Sequence, residues 1–147
     1  GKKYISTPSK YYYCDAGLRN ARLEFRQYEE THLMENIIYN ELLLRGYSVD
    51  VGIVTHDEKN SAGKITRRQL EVDFVANRGS RRYYVQSAFA VPDLNKMNQE
   101  QASLIKIPDS FKKIIVVANE APLWRNEQNI TIMNIYDFLL NQDSLEY

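Results

Sequence analysis

The stretch Lys64–Val91, KITRRQLEVDFVANRGSRRYYVQSAFAV, restricts the fold more than any other part of the chain. It reads as two strands joined at Arg78-Gly79-Ser80-Arg81, where Gly79 can take the positive φ that a tight turn needs. With Gly79-Ser80 as a two-residue loop, facing residues carry numbers that sum to 159. Val75 then faces Tyr84, Asp73 faces Gln86 and Glu71 faces Ala88. Strict alternation yields one apolar face, with Val72, Phe74, Ala76, Tyr83, Val85 and Phe89, and one polar face, with Glu71, Asp73, Asn77, Arg82 and Gln86. A carboxylate facing an amide in mid-sheet, several residues from the turn, marks a candidate site.

The rest of the chain surrounds this hairpin with helices and further strands. Tyr11–Cys14 is a short aromatic, strand-like run, and Asp15 can cap a helix from Ala16 that buries Leu18, Ala21 and Leu23 or Phe25. The clearest helix runs from about Glu29 to Arg45, with Met34, Ile37, Ile38 and Leu42 in one apolar arc and Gly46 ending it. Glu41 lies in that arc four residues before Arg45, the spacing of a structural ion pair. Glu35, at the arc's edge, has Tyr39 at that spacing and is the freer carboxylate. Tyr47–Thr55 follows as a strand, and His56-Asp57 reads as a solvated loop tip. Pro92-Asp93 opens a helix through about Ile105, with Leu94, Met97, Leu104 and Ile105 inward. Lys113–Ala118 is an apolar strand of the kind buried on both faces. A loop holding Trp124, a strand at Ile130–Ile135 and a helix at Tyr136–Asn141 complete the order. The expected class is α/β, a mixed sheet with helices on its faces.

The chain has 147 residues, 44% hydrophobic and 26% charged, which suits one domain with a real core. Its net charge of zero provides no global field toward nucleic acid or an anionic membrane. No apolar run approaches the ~18–20 residues of a membrane span, and no signal peptide is evident. Cys14 is the single cysteine, which excludes an internal disulfide framework and fits a reducing, cytoplasmic compartment. Residues 1–10 read as a polar linker, leaving residues 11–147 as a single domain. A start at Gly1 rather than Met suggests a piece of a longer protein.

A helix with a glutamate, followed by strands with an aspartate and an (E/Q)-x-(K) position, resembles the PD-(D/E)XK nuclease superfamily. The strand motifs that carry the resemblance are Val72-Asp73-Phe74 and Val85-Gln86-Ser87-Ala88. More narrowly, KYYYCDAGLRNARL, HLMENIIYNELLLRGY, EVDFVA, YYVQSA and ITIMNIYDFLL are similar to a family of unknown function that forms the C-terminal domain of bacterial and archaeal AAA-type ATPases. The similarity covers about Lys10 to Leu140. It implies a restriction-endonuclease-like α-β-β-β-α-β core and an N-terminal ATPase module as partner within the same protein. No GxxxxGK[ST] motif occurs in these residues, so ATP would bind only in that other part.

The resemblance also implies a site. Asp73 and Glu35 would be the metal carboxylates and, with Gln86, the catalytic set of an active Mg²⁺-dependent nuclease. Gln86 stands where the superfamily has a second acid, and Ala88 where it has its lysine. Glu71 and Lys96 are the residues that could replace those functions. Otherwise Glu35, Asp73 and Gln86 form a hydrogen-bonded network that stabilises the sheet without cutting. Lys64, Arg67, Arg68, Arg78, Arg81 and Arg82 cluster at the two ends of the hairpin and outnumber Glu71 and Asp73 by four charges. Arg67, Arg68, Arg81 and Arg82 are the candidates for phosphate contacts, with a solvated rim as the alternative. Three functions follow: a degenerate nuclease-fold domain binding DNA or a protein partner, an active DNA nuclease, and an interaction or dimerisation domain with no nucleic-acid role.

Overall fold

In a computed structural model the described residues are 10–26, 29–59, 63–90 and 94–147. The linker expected before Lys10 and the Pro92-Asp93 helix start lie outside them, as does the side chain of Leu94. The elements are α1 (Ala16–Arg22), α2 (Glu30–Leu44), β1 (Ser48–Lys59), β2 (Ile65–Arg78), β3 (Arg81–Ala88), α3 (Leu94–Ile105), β4 (Lys112–Val117), β5 (Trp124–Arg125), β6 (Ile130–Asn134), α4 (Ile135–Leu140) and a closing 3₁₀ turn, Ser144–Glu146. The strands form one mixed sheet in the order β1-β2-β3-β4-β6-β5. β1, β2 and β3 form an antiparallel meander, β3, β4 and β6 run parallel, and β5 pairs antiparallel to β6. Trp124 therefore starts an edge strand rather than lying in a loop.

Two apolar layers sandwich the sheet. On the α2 side Met34, Ile38 and Leu42 pack against Phe74, Ala76, Tyr83, Val85, Ile114 and Val116, with Phe138 of α4 and Leu145 of the closing turn. On the α3 side Leu104 and Ile107 cover Val72, Tyr84, Ala88, Ile115, Val117, Ile130 and Ile132. β4 contributes alternately to both layers, as a doubly buried parallel strand must. Arg45, the C-cap of α2, ties the first layer to the chain's end. Its Nε donates to Glu41 Oε1 at 2.7 Å, the expected ion pair, and its guanidinium also donates to Ser144 Oγ and the Phe138 carbonyl.

The hairpin register is as expected. The pairs run from Phe74 with Val85 through Val75 with Tyr84 to Arg78 with Arg81, and Gly79 takes φ +61°. Beyond Phe74, however, β2 pairs with β1 alone. Glu71 lies beside Ile53 of β1, while Ala88 pairs with Val117 of β4 and is buried on the α3 side. The expected Asp73–Gln86 and Glu71–Ala88 ladder pairs do not form.

Against β1 the register shifts: Asp50 faces Val75 and Gly52 faces Val72, so Val51 alone opposes both Asp73 and Phe74. This β-bulge breaks the alternation of sides. Val72 moves to the α3 layer, while Asp73 joins Phe74 on the α2 side.

Other expectations fail for local reasons. Tyr11–Cys14 forms no strand: Tyr11–Tyr13 have no regular structure and Cys14 sits in a bend. Asp15 does cap α1, its Oδ1 accepting from the Leu18 N–H at 3.0 Å, but the buried residue is Arg19, whereas Leu18 and Phe25 are exposed. In α3 Leu104 is buried, but Ile105 faces out and Gln101 and Ser103 take its place. His56 and Asp57 lie within β1, opposite Arg68 and Arg67, in the two-stranded arm that β1 and β2 extend past the sheet.

Gly52 holds the bulge closed. A Cβ there would lie 2.8 Å from Val75 Cγ2 and 3.0 Å from Val72 Cβ. Gly52→Ala should destabilise the fold by about 1–3 kcal/mol, the usual cost of overpacking, measured by chemical denaturation.

Candidate functional site

The bulge turns Asp73 toward α2, where Glu35 waits one layer above, and Glu71 follows on the same side. The segment before α1 crosses this point. Asn36, buried in α2, holds it by accepting from the Tyr13 N–H at 2.7 Å and donating to the Tyr13 carbonyl at 2.8 Å. Asn40 donates to the same carbonyl at 2.8 Å. Tyr12 stacks on Tyr39 with ring centroids 4.3 Å apart and leans on Phe74. These contacts fix the chain so that the Lys10 ammonium enters the acidic centre. Its Nζ lies 2.6 Å from Glu71 Oε1, 3.0 Å from Asp73 Oδ1 and 3.3 Å from Glu35 Oε2.

Gln86 completes the centre from β3. Its Oε1 accepts from the Asp73 N–H at 3.3 Å, while Asp73 Oδ2 accepts from the Ser87 N–H at 2.9 Å. Side chains thus bridge the two strands where the regular ladder stops. The split opens into a cleft of about 500 Å³ lined by Glu35, Asp73, Gln86, Ser87, Lys96 and Glu100. Lys96 reaches this cleft and pairs with Glu100 at 2.9 Å.

Burial and the nearby Glu35 charge hold the Asp73 carboxyl above its ordinary value, against the Ser87 N–H and Lys10, which pull it down. Burial works to lower the Lys10 value, but its hydrogen bond to Glu71 and the charges of Asp73 and Glu35 outweigh it and hold the ammonium well above the ordinary lysine range. Burial also pushes the Tyr12 hydroxyl up, so it remains a donor toward Glu35 Oε2 at 3.5 Å.

The structure brings together Glu35, Asp73 and Gln86, and Glu71, a candidate further carboxylate in the sequence, lies with Glu35 and Asp73 around Lys10. Lys10, placed by sequence in a linker, was missed. The signal within reach was the sequence Lys10-Tyr-Tyr-Tyr running directly into a capped helix. As arranged, the centre does not fit Mg²⁺, which requires oxygens at about 2.0–2.1 Å in octahedral geometry. Here three carboxylates surround an ammonium at hydrogen-bond distances, and the Gln86 oxygen is turned to a backbone N–H. Among the described residues no group of three or more His, Cys, Asp or Glu is placed to hold a metal ion.

The four arginines do not form one patch. Arg67 and Arg68 lie on the arm and pair across it with Asp57 at 3.5 Å and Glu58 at 2.7 Å. Arg81 pairs with Glu146 at 3.1 Å, and Arg82 donates to Asn77 at 2.8 Å and covers the Phe111 ring. At about 3.3 Å per strand residue, the two pairs are separated by roughly 35 Å of β2.

Fold and centre together define a mixed α/β domain with an acidic centre, closed by a lysine, at a split in its sheet. Over 116 residues, 79% of the chain, it is 37% identical to a protein of Haemophilus influenzae described as an uncharacterized protein. The chain spans about a quarter of that relative's length. No family model and no solved structure matches the chain. Among the described residues no helix is long and apolar enough to cross a membrane.

The centre should respond to pH with a definite sign. A carboxyl raised in the fold contributes stability below its ordinary value of 3.8, and loses it as pH rises through the folded value. Lys10, also raised, keeps its charge through the neutral range and into alkali, and its contribution shrinks in acid as Asp73 takes up a proton. Lys10→Met should therefore cost about 1.5–3 kcal/mol near pH 8, the range of a hydrogen bond to a charged group, and much less near pH 4. Denaturant titrations of both proteins at the two pH values check this, and an equal loss at both would exclude a charge effect.

Proposed function

We propose that the chain is a restriction-endonuclease-like domain that binds nucleic acid without cleaving it, working as an accessory part of a larger AAA-type ATPase. One observation carries the reading: the Lys10 ammonium sits among Glu35, Glu71 and Asp73, where a nuclease would need its metal. The element order from α2 through β1, β2, β3 and α3 to β4, with the aspartate on the second strand and the glutamine on the third, supports the fold assignment. A match to one quarter of a longer relative is in keeping with a role inside a larger protein.

In this reading Asp73 and Gln86 have kept the architecture of a site and lost its chemistry. Gln86 spends its carbonyl oxygen on a backbone donor, and Ala88 lies buried in the opposite layer, away from the cleft. The exposed Arg67 and Arg68 of the arm supply salt-sensitive phosphate contacts, because an ion pair on a solvated ribbon is weak enough to exchange one anion for another.

The test is incubation of labelled single-stranded, duplex and branched DNA with Mg²⁺ or Mn²⁺, wild type beside Asp73→Ala. The expected result is no cleavage by either protein and binding that weakens steeply with salt. Arg67→Glu with Arg68→Glu should weaken binding and reduce the salt slope by about 1–2. Cleavage by wild type that Asp73→Ala abolishes would establish an active nuclease instead. Absence of binding to every DNA would leave a protein-interaction domain.

A further inference from the structure

Glu35 also borders a second cavity, of about 220 Å³, on the side away from the cleft. Arg19 lines it together with Lys10, Tyr11, Tyr12 and His32. Arg19 is 8% exposed, yet the one side-chain hydrogen bond it makes among the described residues goes to the neutral side-chain oxygen of Asn20 at 3.2 Å. None of the described carboxylates lies within ion-pair distance of it. The neighbouring basic groups differ: Lys10 is surrounded by three carboxylates and His32 Nδ1 lies 2.6 Å from Glu29 Oε2. Glu35, the one acid in the cavity wall, is already engaged by Lys10 and the Tyr12 hydroxyl.

A guanidinium removed from water without a counter-charge is costly, and its planar fork suits an oxyanion with two oxygens to offer. Tyr11 stands at the rim with 83% of its surface exposed, and among the described residues no ring stacks on it. We propose that this cavity is a nucleotide subsite, in which Arg19 holds a phosphate group and Tyr11 stacks the attached base. Lys10 and the Tyr12 hydroxyl are held by the carboxylates of the centre, which leaves Arg19 as the group of this wall that grips the phosphate. The proposal rests on the nucleic-acid reading and specifies which part of the ligand the domain grips beside its closed centre. Stacking on an exposed aromatic is tolerant of sequence, so the subsite would grip single-stranded or frayed ends without reading bases.

The experiment follows the Arg19 Nε–H signal of the ¹⁵N-labelled chain during titration with thymidine 5′-monophosphate, inorganic phosphate, thymidine and acetate. The expected result is a saturable shift with the mononucleotide, a weaker one with phosphate and none with thymidine. Arg19→Gln should lower mononucleotide affinity by about tenfold or more, read from backbone signals of α1. Tyr11→Ala changes only a surface residue and keeps the fold. It should weaken the mononucleotide by about fivefold and leave inorganic phosphate unchanged. An Arg19 signal indifferent to the mononucleotide, or an affinity unchanged in both variants, overturns the subsite. An equal response to acetate overturns the phosphate assignment in favour of a carboxylate. A labelled single-stranded oligonucleotide measured alongside separates the two levels. Oligonucleotide binding with an indifferent Arg19 sinks the subsite and leaves the nucleic-acid reading, whereas binding of neither ligand sinks both.

Discussion

One extra residue in β2 sets the geometry of everything near the centre. A strand has a side-chain period of two, so Asp73 and Phe74 should point to opposite faces. Because Val51 alone opposes both of them, they share the α2 face instead. Phe74 then fills the first core layer, and Asp73 is drawn under α2 within reach of the same ammonium as Glu35. Val72 is sent to the other layer, where it packs below α3. Gly52, with no room for a Cβ, lets β1 close against this irregularity.

A buried or half-buried carboxylate cluster cannot stand uncompensated, since like charges and desolvation both oppose ionisation. The chain answers with Lys10, and it fixes Lys10 by backbone rather than by charge. The Asn36 and Asn40 amides clamp Tyr13, and the Tyr12–Tyr39 stack holds the residue between. The ammonium is thereby delivered to its place by contacts that do not titrate. That separation explains how a polar centre fits over an otherwise apolar sheet: the hydrogen bonds set position, and the charge pairing removes the penalty. Arg19 lies one helix face away from the same lead segment and is not compensated in this manner, which sets it apart from the cations that are paired with carboxylates.

Much of the frame was legible in the sequence. Gly79 at the turn set a register that the structure reproduces from Arg78–Arg81 to Phe74–Val85, because a two-residue loop leaves little freedom in how the strands meet there. Met34, Ile38 and Leu42 of the α2 arc and the spacing of Glu41 from Arg45 likewise needed only local geometry, whereas Ile37 of that arc stays half-buried and Asn36 is buried instead. Less legible were the short elements. α1 is seven residues long, so its packing is set by the partner it finds, and Arg19 rather than Leu18 ended up inside. Trp124 pairs as an edge strand only because β6 is there to receive it. The sequence places the arginines at the two ends of the hairpin, but that the acidic residues of β1 pair with Arg67 and Arg68 depends on the β1–β2 register.

The sequence by itself determined the alternation of helices and strands, the hairpin and the two-sided burial of β4. These depend on periodicities and turn chemistry that act over a few residues. The nearness of Glu35 to Asp73 and Gln86 was implied only by the family resemblance, and only the tertiary structure decided how the bulge aims Asp73 and that Lys10 closes the centre. A bulge is a relation between two strands, and the seating of Lys10 spans 25 residues to Glu35 and 63 to Asp73. No pattern within a single segment encodes contacts of that range; they arise when the packed layers bring the segments together.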